Sequence, residues 1–325
     1  MKHNYWDQKP SSFAETVQLV ESYVRAEIKQ ETKDKQLFYH TLDHALDVKR
    51  RASSIFQAIR PVLSQDIAAG ELKRLESLVN LSAIAHDMVQ LFDSSTLVDQ
   101  PRKRLTGLSE TETANKLLRY IQNLNQELTA YNLNSAILFS DRDQQIIKDA
   151  IVATICRNDP QANKANYTFS AYSIYQPYLY ESRPKISVVG SIIALADLGT
   201  LGMDGVEKYL QDGILIFLED NPNYQELIMN RNSQIYEPLD CSGFSAGNII
   251  KTRLLAMTRF MVSFAHERQA RFELEISGFP PQVRQTLRDK VFIYLSQENI
   301  KKIEALVPTQ ENVSLAELID FFCLQ

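Results

Sequence analysis

Apolar residues recur along most of the chain at the three- and four-residue spacing of an amphipathic helix. The clearest runs are Phe13, Val17, Val20 and Val24, then Leu72, Leu75, Leu78 and Ile84, and finally Ile146, Ile147, Ile151 and Ile155. No stretch sustains the alternation of apolar and polar residues that indicates a half-buried strand. Glycine and proline, which interrupt helices, account for only 10 and 11 of the 325 residues. The pattern predicts an all-α fold.

Polar stretches between the helical runs predict where helices begin and end. Ser12 and Asp143 stand where a side chain can cap a helix start, and Ser109 with Glu112 has the spacing of a capping box. The Asn-Asp-Pro sequence at 158–160 predicts a helix end. The predicted loops cover residues 93–109, 158–184 and 221–247.

The length of the chain exceeds what one small domain needs, since domains usually contain about 100–200 residues. We predict a helical domain over residues 1–210 and a C-terminal helical extension over residues 211–325. The boundary follows the last residue that is a candidate for catalysis or metal binding. The extension is expected to pack on the first domain or on a partner chain, which leaves formation of a homo-oligomer open.

Charge and composition exclude several kinds of partner. The formal net charge is −5, whereas proteins that bind nucleic acids or membrane surfaces present a basic face. The three cysteines (Cys156, Cys241 and Cys323) are too widely spaced to indicate a zinc site or a disulfide framework. The N-terminal residues lack a signal-type apolar run, and the apolar stretch at 186–198 is shorter than the ~18–20 residues of a spanning helix. We therefore expect a cytoplasmic protein without nucleic-acid or membrane partners.

Two of the five histidines lie close together in the stretch FYHTLDHALDV at residues 38–48. His40 and His44 are four residues apart, so on a helix their side chains point the same way. Such a pair is more often structural than catalytic or metal-binding. Its meaning depends on which other side chains reach it.

Two later apolar runs end in ionisable residues. His86 and Asp87 follow the run at 78–85, and Asp197 follows the run at 192–196 with no basic residue nearby in sequence. A buried polar or charged group needs a partner, and a metal ion can serve several at once. Each residue alone is more often a cap or a core hydrogen-bonding group. Together with His44 they form a candidate site of two imidazoles and two carboxylates, which does not discriminate between Mn, Fe, Co, Ni, Zn and Mg.

The order of these residues resembles the HD superfamily of metal-dependent phosphohydrolases. YHTLDHALDV is similar to the YHN-x-x-H-x-x-x-V segment of members that resemble cyclic-nucleotide phosphodiesterases. AIAHDMVQ resembles the apolar segment that ends in His-Asp, and IIALADLG resembles the helix with the closing aspartate. The resemblance spans about residues 38–200 and implies an HD-domain-like helical bundle.

The resemblance also implies a role for each matched residue. The implied metal ligands are His44, His86, Asp87 and Asp197. His40 matches a histidine that protonates the leaving oxygen in phosphodiesterase-like members. Asp87 is expected to orient the nucleophilic water as well as to bind metal. The implied activity is hydrolysis of a nucleotide or another small phosphate ester, as a phosphomonoesterase or a phosphodiesterase.

The chain departs from many two-metal members of this family, which carry a further histidine before the last aspartate. No histidine lies between His86 and His266, and Cys156 and Arg157 occupy the nearest matching place. We therefore expect one divalent ion per chain. Arg157 either binds a substrate phosphate or caps a helix end, where a cation suits the helix dipole.

Cations for a phosphate substrate are sought in the segment PRKRLTG. Arg102 and Arg104 are candidate substrate-binding residues, because guanidinium groups match phosphate geometry. The alternative is that this segment is a solvated charge cluster. Two other functions also remain open: a catalytically silent HD domain that binds a nucleotide or mediates assembly, and an all-α interaction protein without metal.

Overall fold

The computed structural model of the protein describes residues 9–94, 100–131, 134–158, 174–180, 186–229 and 246–323, and it confirms the all-α fold. The α-helices are α1 (Phe13–Lys35), α2 (Leu42–Leu63), α3 (Ala69–Ala85), α4 (Leu108–Ala130), α5 (Asp141–Val152), α6 (Val188–Asp197), α7 (Val206–Asp220), α8 (Gln225–Met229), α9 (Ala246–Glu275), α10 (Pro281–Thr286), α11 (Gln297–Leu306) and α12 (Leu315–Phe322). Short 3-10 helices lie at Ser135–Ile137, Pro177–Leu179 and Pro222–Tyr224, and π-helical turns at Thr200–Asp204 and Leu287–Val291. The described strands are β1 (Arg157–Asn158) and β2 (Ile174–Tyr175), which pair antiparallel.

Helix starts are capped by polar side chains, partly where the sequence predicts them. Ser12 is the N-cap of α1, and its hydroxyl accepts a hydrogen bond from the backbone N–H of Glu15. The prediction for α5 is wrong, because Ser140 rather than Asp143 is the N-cap. Asp143 instead accepts a hydrogen bond from the N–H of Ser140 at 2.7 Å, which completes a capping box.

The start of α4 also differs from the prediction, and the difference concerns the surroundings of the candidate site. The capping box predicted at Ser109 and Glu112 is wrong, since the N-cap is Gly107 and Glu110 accepts a hydrogen bond from its N–H. Gly107 has φ +86°, a conformation that favours glycine. The Ser109 hydroxyl accepts from the N–H of Leu91 at 3.0 Å and so ties α4 to the chain after α3.

The loops of the structure differ from the predicted loops in their bounds and in the short helices that they contain. The predicted helix end at 158–160 is displaced, because α5 ends at Val152, and residues 159–160 lie outside the described part of the chain. The predicted loop at 221–247 contains a 3-10 helix and α8, and its residues 230–245 also lie outside the described part. Phe92 and Arg104 form an isolated antiparallel bridge, which closes the segment between α3 and α4.

Three clusters of buried apolar side chains hold the helices together. The first joins α1, α3, α4 and α5, and another joins α7, α9, α11 and α12. The remaining cluster joins α2, α3 and α6 with Phe272, Ile276 and Leu287 from the C-terminal part. The C-terminal part therefore packs against the helices that carry the candidate ligands, while the domain boundary near residue 210 stays a prediction.

A buried arginine fixes α2 against the end of α6. The Arg51 side chain is fully buried and donates to the carbonyl oxygen of Ala196 at 2.9 Å and to Asp204 Oδ2 at 2.8 Å. This places the middle of α2 beside the last turn of α6. Within the described ranges, none of the helices has the length and apolar character that a bilayer crossing requires.

Candidate metal centre

The four predicted ligands meet at one place, although they come from three separate parts of the chain. His44 lies in the first turn of α2, His86 and Asp87 directly follow α3, and Asp197 is the last residue of α6. One candidate ligand atom from each residue lies within 4.8 Å of those of the other three. Both histidines are buried and both carboxylates are partly buried.

The histidine nitrogens give the strongest indication that the cluster can hold a cation. His86 Nδ1 lies 2.7 Å from the carbonyl oxygen of Ala83, so it donates there and leaves a lone pair on Nε2. His86 Nε2 lies 3.0 Å from Asp87 Oδ2 and 3.4 Å from Asp197 Oδ1. Neither approach has hydrogen-bond geometry, and this buried nitrogen has no hydrogen-bond partner among the residues that the structure describes. A cation between the ring and the carboxylates would satisfy it.

The imidazole of His44 faces the same two carboxylates. Its Nε2 lies 3.6 Å from both Asp87 Oδ2 and Asp197 Oδ1, and neither ring nitrogen has a hydrogen-bond partner within the described ranges. The ring of Tyr39 packs against the imidazole, with centroids 4.3 Å apart. Two buried imidazoles that face two carboxylates fit a divalent ion by donor type.

Asp87 is held by one oxygen and faces the centre with the other. Oδ1 accepts hydrogen bonds from Arg104 Nη2 at 2.5 Å and from Gln90 Nε2 at 3.1 Å. Oδ2 faces the nitrogens of the three nearby histidines at 3.0–3.7 Å. Burial alone would raise the pKa of Asp87, but His86 and Arg104 hold it well below its usual value. The carboxylate is therefore ionised and oriented as a ligand.

Asp197 is oriented by a residue that the sequence analysis missed. Gln176, fully buried just after β2, donates from Nε2 to Asp197 Oδ2 at 2.7 Å and to the carbonyl oxygen of Thr154 at 3.3 Å. This leaves Oδ1 of Asp197 toward the two histidines. Burial would raise the pKa of Asp197, but contacts with His44 and His86 lower it well below its usual value. Gln176 lies in a predicted loop and shows no signal in the sequence.

His40 points at the same centre and is held from behind by a carboxylate. Its Nε2 lies 3.7 Å from Asp87 Oδ2, while its Nδ1 contacts Glu219 Oε1. Burial alone would lower the pKa of His40, but Glu219 and Asp87 raise it above its usual value. The imidazole therefore carries a proton more readily than a free histidine and directs Nε2 toward the ligands.

Glu219, near the end of α7, is the second residue that the sequence analysis missed. Its Oε2 accepts hydrogen bonds from the backbone N–H groups of Phe38, Tyr39 and His40 at 3.0–3.1 Å. Burial would raise the pKa of Glu219, but His40 and these N–H groups lower it to about 2. The sequence pattern that could have identified Glu219 is the apolar run at residues 214–218, which is followed by acidic residues. The segments that contain His86, Asp87 and Asp197 show the same pattern of an apolar run followed by ionisable residues.

A cavity of about 910 Å³ opens beside the centre, with His40, Asp87 and Asp197 in its wall. Of the three arginines predicted to bind substrate, only Arg104 is among the described residues that line it. Arg104 pairs with Glu110 at 3.1 Å as well as with Asp87, so it positions a ligand carboxylate.

The other two arginines lie elsewhere. Arg102 donates to the carbonyl oxygen of Lys35 at 2.6 Å and lies over the ring of Phe92. Arg157 is exposed on β1. The structure brings neither side chain to the centre, so their contacts with a substrate stay predictions.

Cys156 also lines the cavity near Asp197. Burial and the nearby carboxylate of Asp197 raise the pKa of this thiol to about 12. The group of described residues whose candidate ligand atoms lie within 4.8 Å of one another does not include Cys156. A single ion per chain stays a prediction.

His266, the remaining histidine among the described residues, lies on α9 and contacts Glu304 at 2.8 Å, away from the centre. Comparisons of the chain with protein-family models, with curated proteins and with solved structures give no match. The functional assignment consequently depends on the geometry of the centre and on the order of its residues along the chain.

Proposed function

We propose that the protein is a metal-dependent phosphohydrolase of the HD superfamily that hydrolyses a nucleotide or another small phosphate ester. The proposal is supported by the cluster of His44, His86, Asp87 and Asp197. Within the described part of the chain, buried imidazole nitrogens of both histidines have no hydrogen-bond partner. These four residues would hold one divalent ion. When bound, such an ion makes water a stronger nucleophile at neutral pH and neutralises charge on phosphoryl oxygens.

The protein's own groups divide the remaining tasks. His40 holds a proton on Nε2, which faces the centre, and gives it to the leaving oxygen. Glu219 fixes that ring from the opposite side and favours its charged form. Acid catalysis of this kind typically contributes about 10²–10⁴-fold to a rate. Asp87 orients water as well as binding the ion, while Arg104 holds its other oxygen.

Elemental analysis tests the centre directly. Wild-type protein purified without chelator is compared with Asp87→Ala and with Asp289→Ala, a matched control at an exposed position after α10. We expect about one divalent ion per chain in the wild type and the control, and none in Asp87→Ala. No ion in the wild type, even after loading with Mn, Fe, Co, Ni, Zn or Mg, would refute the proposal.

A panel of phosphomonoesters and phosphodiesters then tests the reaction with the bound metal. We expect His40→Ala to retain its metal and to lose about 10²–10⁴-fold in rate. His266→Ala is the matched control and should keep the wild-type rate. Stoichiometric metal without hydrolysis of any ester would contradict the activity.

The second candidate is a catalytically silent HD domain that binds a nucleotide or mediates assembly. The observation that favours it is that Cys156, which is outside the four-residue cluster, stands at the place where many two-metal members have a histidine. It predicts ligand binding without turnover, with an affinity that His40→Ala leaves unchanged.

A further inference from the structure

The cavity beside the metal centre extends well beyond the candidate ligands. Its volume of about 910 Å³ is near the upper end of the roughly 300–1,000 Å³ that small-molecule sites occupy. One part of its wall consists of charged residues of the centre, including His40, Asp87 and Arg104. Another part is formed by α7 and α9. A ligand that fills the cavity therefore contacts two chemically different surfaces.

The wall formed by α7 and α9 is mainly apolar, although Asp220 and Arg253 also belong to it. The side chains that carry this argument are Ile216 from α7 and Ala256, Met257, Phe260 and Phe264 from α9. The α9 residues follow a three- and four-residue spacing, so one continuous face of this helix borders the cavity. Ala256 is exposed and the other four are only half-buried. Phe260 and Phe264 stack on each other with ring centroids 5.5 Å apart, and the accessible parts of these side chains border the cavity.

Several polar groups in this wall already bond to the protein. The Tyr209 hydroxyl donates to the carbonyl oxygen of Met261 at 2.6 Å, and the Thr200 hydroxyl donates to Asp212 at 3.1 Å. Arg268 is buried and paired with Glu275. The polar edges of a base or a sugar would have to compete with these bonds. A ligand group that is buried without a hydrogen-bond partner lowers the affinity of the ligand. Burial of a hydrocarbon group against this wall would be favourable.

We infer that the ligand is an amphiphilic phosphate monoester, with its phosphate at the metal centre and an extended hydrocarbon group along the faces of α7 and α9 that line the cavity. This inference rests on the proposed function and narrows its substrate class. In the reaction, water adds to phosphorus, the phosphorus–oxygen bond to the hydrocarbon breaks, and an alcohol and inorganic phosphate are released. Linear alkyl and branched isoprenoid chains share the chemistry that the wall recognises.

Binding of n-alkylphosphonates tests the inference without turnover, because their carbon–phosphorus bond is not an ester. Butyl-, hexyl-, octyl- and decylphosphonate are titrated below their micelle concentrations into Mn²⁺-loaded full-length protein by calorimetry, beside AMP. Burial of one methylene corresponds to up to about a fourfold gain in affinity. We expect a gain of about two- to fourfold per methylene and tighter binding of octylphosphonate than of AMP. A flat series, or tighter binding of AMP, would overturn the inference.

A variant on α9 identifies where the chain binds. Ala256→Trp fills part of the cavity from an exposed position, and Ala270→Trp is the matched control, exposed on the same helix outside the cavity. We expect Ala256→Trp to weaken decylphosphonate at least tenfold and Ala270→Trp to leave it unchanged. Equal affinities in both variants would overturn the assigned location. If Ala256→Trp fails to fold, the wild-type series still decides the inference.

Two further experiments are needed. The first distinguishes a linear from an isoprenoid hydrocarbon group, and the second distinguishes failure of the phosphohydrolase from failure of the amphiphile inference. Geranyl- and decylphosphonate have the same carbon number, so the tighter of the two identifies an isoprenoid or a linear chain. Hydrolysis of AMP and of octyl phosphate is assayed in parallel. An affinity that rises with alkyl length, without hydrolysis of either ester, overturns the phosphohydrolase and supports amphiphile binding. Hydrolysis without a chain-length gain supports the phosphohydrolase and overturns the amphiphile.

Discussion

Replacing Glu219 tests how a single carboxylate anchors the histidine segment that precedes α2. Its side chain is only 3% exposed, and it accepts three backbone N–H groups while it contacts the ring of His40. Glu219→Ala leaves all four groups without this acceptor. Glu219→Gln keeps a neutral oxygen for the backbone but removes the charge. The two variants therefore separate the loss of hydrogen bonds from the loss of charge.

The structure gives the size of the effect in two ways. Three backbone hydrogen bonds at roughly 1 kcal/mol each amount to about 3 kcal/mol, and loss of the contact with charged His40 adds to this. The same contacts lower the pKa of Glu219 from 4.5 to about 2 on folding, which corresponds to about 3 kcal/mol of stability. We expect Glu219→Ala to lower the free energy of unfolding by about 4 kcal/mol and Glu219→Gln by about 2 kcal/mol.

The assay is urea denaturation at pH 6, with Glu127→Gln on the exposed face of α4 as the matched control. Because the pKa of Glu219 is lower in the folded state, its contribution is present above about pH 4.5 and is lost as the pH falls toward 2. The difference between wild type and Glu219→Gln should therefore shrink in that range. A loss below about 1 kcal/mol for Glu219→Ala, or a difference independent of pH, would refute the reasoning.

Three other substitutions address the scaffold and the ligand geometry. Arg51→Met should lower the unfolding free energy by about 2 kcal/mol in urea, because it removes the donor to the Ala196 carbonyl and one of the two arginines paired with Asp204; a change below about 1 kcal/mol would contradict this. Gly213→Ala would place a methyl carbon 2.6 Å from Met261 Cε and 3.2 Å from its Cγ, so a net loss of up to about 2 kcal/mol is expected after the gain of about 1 kcal/mol that alanine brings to a helix interior; an unchanged or higher urea midpoint would exclude such crowding. Gln176→Ala should weaken metal affinity by about 10–100-fold in a chelator competition, since it frees one ligand carboxylate; wild-type affinity would show that this amide does not orient the ligand.

Local sequence determined the helical class and the identity of the candidate ligands. A three- to four-residue apolar period is a property of each segment by itself, so the helices could be predicted without knowing their neighbours. The same is true of an apolar run that ends in ionisable residues, because burial of such residues requires a partner wherever the segment lies. His86 and Asp87, and later Asp197, were identified in this way, and the structure places them beside His44.

Contacts between distant segments were decided only by the packing of the helices. Glu219 meets His40 across 179 positions, and Gln176 reaches Asp197 from a predicted loop. Arg104 was predicted as a substrate contact, yet the bridge between Phe92 and Arg104 directs it to Asp87. No periodicity encodes such pairs, since a side chain's partner depends on how whole helices dock. The cavity follows from the same cause, because its wall combines residues of α7 and α9 with residues of the metal centre.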